Sequence, residues 1–192
     1  MALIKLNNQS LPSGTVLQVQ STTKTDTFTA NLGTTFVAIT GLSVSITPSS
    51  TSSKILIMSN LFVGSNADNF FHFRLYRNGS NLSGATGDAD GVRARDYSYN
   101  YLTATSGETY IALTQSLPNY LDLPAATSSL TYQIYVGDPN SGGNPIYINR
   151  LKRDDNAVNS ALPTFILYKV RHSSCGCVFN AKIMSYNCPS AI

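Results

Sequence analysis

Hydrophobic and polar residues alternate with a period of two along much of this chain. Leu42, Val44 and Ile46 alternate with Ser43, Ser45 and Thr47, which is the pattern of a strand with one face buried and one in water. Pro48 closes that strand, and the PSSTSS run that follows is a turn. Residues 54–63 make the strongest strand. Ile55, Ile57, Leu61 and Val63 share one parity with Ser59, while Leu56, Met58 and Phe62 share the other with Asn60. A strand that is apolar on both sides is covered on both, in a sandwich or at a subunit interface. In NFFHFRLYR (69–77), Phe71, Phe73 and Leu75 form a core face, and Phe70, His72, Arg74 and Tyr76 a mixed opposite face. Asn78-Gly79 predicts a tight hairpin turn, whose central positions both favour positive φ.

The same reading predicts strands over 14–20, 36–39, 97–101, 109–117, 130–136, 146–149 and 165–170, with a Thr-rich period-two stretch at 23–29. Thr40-Gly41 closes the strand at 36–39, and Pro118 stops the one at 109–117. No segment of ten or more residues shows a helical period, and 151–161 has room for one helical turn at most. Short strands punctuated by turn signals every ~8–12 residues predict an all-β fold, an antiparallel β-sandwich of jelly-roll type. The chain shows no linker and no internal repeat. It divides into an N-terminal arm at 1–13, one β-domain at 14–170 and a C-terminal tail at 171–192.

Composition narrows the function. The 192 residues are 12% charged and 42% hydrophobic, with 24 Ser, 19 Thr and 17 Asn. That is polar without being charged, unlike a disordered chain or a coiled coil. The formal charge is +3, and residues 1–149 carry seven bases against eight acids. So weak a field argues against a nucleic-acid partner. No apolar run is long enough to predict membrane insertion, and the first residues do not read as a secretory signal. Asn8, Asn78 and Asn81 match the glycosylation pattern, as chance predicts in a chain so rich in Asn and Ser. Cys175, Cys177 and Cys188 all lie in the last eighteen residues, so the first 174 fold without a disulfide.

Several blocks carry a family resemblance: GTVLQVQSTTKTDTF (14–28), FVAITGLSVSITPSSTSSKILIMSNL (36–61), FRLYRNG (73–79), LPAATSSLTYQIYVG (123–137) and YINR (147–150). Together they resemble a β-rich domain of virion proteins from bacteriophages of aquatic bacteria. The resemblance spans roughly 14–170, and its most specific parts are LSVSITPSSTSSKILI and PAATSSLTYQIYV…YINR. It implies a trimeric jelly roll, similar to the tumour-necrosis-factor and complement-globular folds, that ends a tail-fibre or tail-tip chain. It also implies a location in the virion, assembled in the cytoplasm of the host bacterium. Only thirteen residues precede the resembling region, where the family carries a long stalk, and 171–192 does not resemble the family's ending. A virion protein is therefore the firmer implication, and a tail fibre the narrower one.

Candidate chemistry is sparse. His72 and His172 are the only histidines, and neither sits in a recognisable Ser-His-Asp or Cys-His signature. Mid-strand among aromatics, His72 reads as a packed or interface histidine. Glycan cleavage needs two carboxylates flanking one bond. Asp88, Asp90, Asp96 and Glu108 could in principle supply such a pair, but their loop context is unremarkable. The chain is accordingly read as a non-enzyme with no cofactor. GDADG (87–91) lacks the further ligands of a full calcium loop, and the spacing of His172, Cys175, Cys177 and Cys188 departs from that of zinc sites, so no metal is expected. If a disulfide forms, Cys177 with Cys188 is easier than the strained Cys175–Cys177 ring.

The binding candidate is an aromatic row. Tyr97, Tyr99 and Tyr101 alternate along one strand and could stack sugar rings, with Arg93, Arg95, Asp96 and Asn100 supplying hydrogen bonds. The competing reading places the same tyrosines at a subunit interface or in the core of the outer sheet. The expected partners are two more copies of the chain in a homotrimer, other proteins of the tail, neck or capsid, and host surface polysaccharide. Three roles compete: a receptor-recognising tail fibre or adhesin, a head-decoration (cement), head-fibre or neck protein, and a glycan-cleaving enzyme. The two ends, 1–13 and 171–192, are the expected attachment to the particle.

Overall fold

The computed structural model describes residues 15–65, 69–102, 111–139, 143–151 and 164–171, the last by its backbone only. These residues form strands β1 (Val16–Lys24), β2 (Phe28–Asn31), β3 (Val37–Ile46), β4 (Lys54–Ser65), β5 (Asn69–Arg77), β6 (Ser80–Asn81), β7 (Ser98–Leu102), β8 (Ile111–Asp122), β9 (Leu130–Gly137), β10 (Pro145–Ile148) and β11 (Thr164–Arg171). The arm at 1–13, Glu108, His172 and the three cysteines lie outside the described residues.

The strands make two antiparallel sheets, as the alternation predicts. In one, β1, β11, β4, β10 and β2 lie in order, with β8 also paired to β4. In the other, β3, β9 and β5 lie in order, with β6 and β7 both paired to β5. The pairings nest: β1 with β11, β3 with β9, β4 with β8, and β5 with β7. The chain is thus one long hairpin folded over itself, which is the jelly-roll winding. The segment between β6 and β7 is the tip of that hairpin.

The inner faces hold the core. Ile55, Ile57, Leu61 and Val63 of β4 face Phe71, Phe73 and Leu75 of β5 and Tyr132, Ile134 and Val136 of β9, all buried. Period-two alternation supplies this directly, because one parity of each strand must leave water. On the other parity of β4, Leu56, Met58 and Phe62 are only half-buried. Leu56 lies opposite Leu121 of β8, which is 39% exposed. Among the described residues, the second apolar face of β4 is therefore only partly covered.

Local chemistry fixes the turns. Asn78 (φ 49°) and Gly79 (φ 77°) both take the left-handed region, as the Asn-Gly signal predicts. Asn78 Oδ1 also accepts from the Thr131 backbone N–H at 2.8 Å, tying the hairpin to β9. Three expectations need correction. β3 runs unbroken from Val37 to Ile46, because Thr40-Gly41 falls where the register shifts between Ala38 and Ser43. β8 continues through Pro118 to Asp122, and Pro118 sits at the register shift opposite Ile57–Ser59, where no ladder hydrogen bond is required of it. The strand expected to begin at Tyr97 begins at Ser98.

Two polar clusters, each built on a buried ionisable side chain, brace the sandwich. At one end, Asp122 accepts from Arg77 Nη1 at 2.6 Å and from the Tyr132 hydroxyl at 2.5 Å. Burial, and the bond to this carboxylate, push Tyr132 well above the ordinary tyrosine range. In the other cluster the Lys24 side chain is 1% exposed and Nζ lies 2.8 Å from Asp26 Oδ2, while Asn149 Nδ2 donates to the Lys24 carbonyl at 2.7 Å. Asn149 is thereby held at φ 61°, a conformation Asn tolerates better than most residues.

Candidate functional site

The outer face of the β3-β9-β5-β7 sheet carries the side chains left over when the core parity is satisfied. On β5 these are Phe70, His72, Arg74 and Tyr76. Register sets Tyr101 opposite Phe70 and Tyr99 opposite His72 on β7, and Tyr135 opposite Arg74 on β9. The aromatics meet. Phe70 stacks on Tyr101 with ring centroids 4.3 Å apart and on Tyr99 at 6.1 Å, and the His72 imidazole lies 5.2 Å from Tyr99 at a 45° tilt. At the far end Tyr76 stacks on Tyr135 at 3.7 Å. Tyr99 remains 55% exposed and Tyr101 39%.

The segment between β6 and β7 is fastened across the middle of this face by Asp96. Its Oδ2 lies 2.6 Å from His72 Nδ1, and its Oδ1 accepts from Arg74 Nε at 2.9 Å. Burial alone would raise the Asp96 carboxyl, but the hydrogen bonds from His72 and Arg74 outweigh it and hold the group below the ordinary aspartate value. The Arg74 guanidinium in turn sits 3.8 Å above the centre of the Phe36 ring, a cation–π contact. Phe36 lies flat against Gly137, where an added Cβ would come within 3.0 Å of the ring. Gly137, Phe36, Arg74, Asp96 and His72 thus form one continuous stack.

The tyrosine row is only partly realised. Tyr99 and Tyr101 share the outer face, but Tyr97 is 5% exposed and belongs to the core. Tyr97 precedes the strand, so strand alternation does not govern it. Its N–H donates to the Phe73 carbonyl, and its hydroxyl donates to the Pro118 carbonyl between the sheets. Burial pushes its hydroxyl up to about 12. Asn100 lies on the opposite parity from the tyrosines, half-buried, and its Oδ1 accepts from the Tyr101 N–H at 2.7 Å. Arg93 pairs with Asp90 at 2.9 Å, both well exposed, and Arg95 Nε donates to the Gly87 carbonyl at 2.8 Å. Both arginines therefore shape the loop. Sequence reasoning left Phe70, His72 and Arg74 out of the site, although their alternation with Phe71 and Phe73 was the available signal.

An open cleft of about 420 Å³ lies between the loop and β5/β7, lined by His72, Val92, Arg93, Asp96 and Tyr99 among others. His72 is 6% exposed, and its Nε2 has no hydrogen-bond partner among the described residues. A second cleft, about 520 Å³, lies on the other sheet at the β4–β8 irregularity, lined by Met58, Asn60, Ser116 and Pro118 among others. No group of three or more His, Cys, Asp or Glu side chains able to hold a metal occurs among the described residues.

No protein-family model matches the chain, and no curated protein sequence does. Among solved structures, it is similar to the T=1 particles derived from infectious bursal disease virus, at 14% identity over 92% of this chain and 41% of that one, with a TM-score of 0.40. It is similar to the VP2 subviral particle of the same virus at 14% identity, over 90% of this chain and 42% of that one, with a TM-score of 0.37. The virus of the Gx strain gives 12% identity, 92% and 42% coverage, and a TM-score of 0.37. The chain spans about two-fifths of the length of these matched chains.

Proposed function

We propose that this chain is a bacteriophage virion structural protein, a homotrimeric, tail-fibre or adhesin-type jelly roll displayed on the particle, that recognises the host cell surface. The family resemblance of residues 14–170 supplies the virion part of this reading. The observation that carries recognition is the outer-face cluster of half-buried Phe70 with exposed Tyr99 and Tyr101, on a sheet whose other face is the packed core. Aromatic rings on rigid strands offer large contact area at little entropic cost, which suits stacking against surface polysaccharide. In this reading the chain binds without cutting, and two of the four candidate acids are already engaged: Asp96 with His72 and Arg74, and Asp90 with Arg93. Trimer formation is favoured by the strip of Leu56, Met58 and Leu121 on the other sheet, a surface that symmetric association would bury. Partners are other virion proteins and host polysaccharide, with no nucleic acid and no membrane insertion.

Quantitative mass spectrometry of purified particles tests the assignment. A few trimers per particle is the expected result. Tens to hundreds of copies would move the protein to the capsid shell as a head-decoration protein, and absence from particles would overturn the virion reading.

A further inference from the structure

We propose that the cleft between the β6–β7 segment and strands β5 and β7 is a binding site for an uncharged saccharide ring, which stacks on Tyr99 and donates a hydroxyl hydrogen bond to His72 Nε2. This deepens the recognition reading above and rests on it.

The first observation is the imidazole. Asp96 is ionised and can only accept, so His72 Nδ1 carries the proton that bridges them at 2.6 Å. In the neutral ring Nε2 is then an acceptor, and it has no partner although His72 is 6% exposed. A buried acceptor without a donor is costly, and a ligand hydroxyl supplies what is missing. Tyr99, exposed and with its ring 5.2 Å from the imidazole, is the cleft wall beside it.

The second observation is the lining. Val92 is fully exposed at the rim and Tyr99 presents a ring, so the cleft has apolar walls. Its volume, about 420 Å³, lies within the ~300–1,000 Å³ usual for small-ligand sites. The third is charge. Arg93 is paired with Asp90, and Asp96 with both His72 and Arg74. With its charges already matched, the cleft calls for no charge on the ligand. A ring with one apolar face and donor hydroxyls at its edge meets these conditions.

The test is saturation-transfer NMR and calorimetric titration of the full chain at pH 8. The probes are neutral oligosaccharides built from glucose, galactose, mannose and N-acetylglucosamine, alongside uronic-acid oligosaccharides. At least one neutral probe should bind. His72→Asn keeps a donor toward Asp96 but removes the distal acceptor, and should weaken binding about tenfold. Tyr99→Ala, at an exposed position that leaves folding intact, should weaken it at least as much. Leu123→Ser should leave it unchanged. The proposal is overturned if no neutral probe binds at roughly 10 mM. It is also overturned if only acidic probes bind, or if both His72→Asn and Tyr99→Ala bind like the parent. Copy number in the particle is indifferent to all three outcomes, so failure of the cleft and failure of the virion reading are distinguishable.

Discussion

Asp96 Oδ2 lies 2.6 Å from His72 Nδ1, joining the segment before β7 to the middle of β5 across 24 residues of sequence. The same carboxylate takes Arg74 Nε at 2.9 Å, so one acid sets both the course of the loop and the floor of the candidate cleft.

Asp96 makes the loop's attachment pH-dependent. Its folded-state value is depressed, so its contribution to stability is complete above the unfolded aspartate value of 3.8 and is lost as pH falls through the lower folded value. Asp96→Ala should cost about 2–3 kcal/mol at neutral pH, because two partly buried donors, His72 Nδ1 and the charged Arg74 guanidinium, lose their acceptor. Urea denaturation at pH 7 and pH 3 should show the difference between variant and parent shrinking on acidification.

Gly137→Ala should destabilise the protein by about 1–3 kcal/mol. The new methyl would meet the Phe36 ring at 3.0 Å, and displacing that ring also removes the surface beneath the Arg74 guanidinium. Phe36→Leu in the same chain should recover part of the loss, which chemical denaturation of the single and double variants would measure.

Two buried tyrosines should resist alkaline ionisation. Tyr132, bonded to Asp122, and Tyr97, pushed up to about 12, both favour the neutral hydroxyl in the folded state. The stability they contribute is complete below the ordinary tyrosine value of 10 and is lost as pH rises through their folded values, for Tyr97 between 10 and about 12. Ultraviolet titration of the phenolates should therefore show a late step coincident with unfolding. Tyr132→Phe and Tyr97→Phe should each diminish that step.

The purified chain should be a trimer by light scattering at micromolar concentration. Leu56→Glu, placed on the half-buried outer face of β4, should shift it toward monomer without unfolding it. A sharp monomer mass for the parent chain would contradict the trimer.

Much of the fold was legible because period-two alternation decides which parity of a strand enters the core. Ile55, Ile57, Leu61 and Val63, and Phe71, Phe73 and Leu75, are buried as their spacing implies. The Asn78-Gly79 turn followed from its φ preference. The limits of local pattern appear at Tyr97 and Pro118. Tyr97 has the spacing of Tyr99 and Tyr101 but precedes the strand, and a tertiary hydrogen bond to the Pro118 carbonyl draws it inward. Pro118 reads as a strand breaker, yet an irregularity opposite Ile57–Ser59 accommodates it. The site itself depends on register between distant strands. Nothing local to Asp96 tells that His72 and Arg74 will be its partners, because the pairing of β5 with β7 brings them together.

Under the proposed function, the aromatic outer face of the β3-β9-β5-β7 sheet recognises the host surface. The most direct measurement is adsorption of the fluorescently labelled full chain to cells of the host bacterium, comparing the parent with a Tyr99→Ala/Tyr101→Ala double variant of equal mass and thermal stability. The parent should bind saturably, and the double variant should lose at least tenfold in affinity, about 1.4 kcal/mol or more. Equal adsorption of the two proteins, or none by the parent, would contradict it.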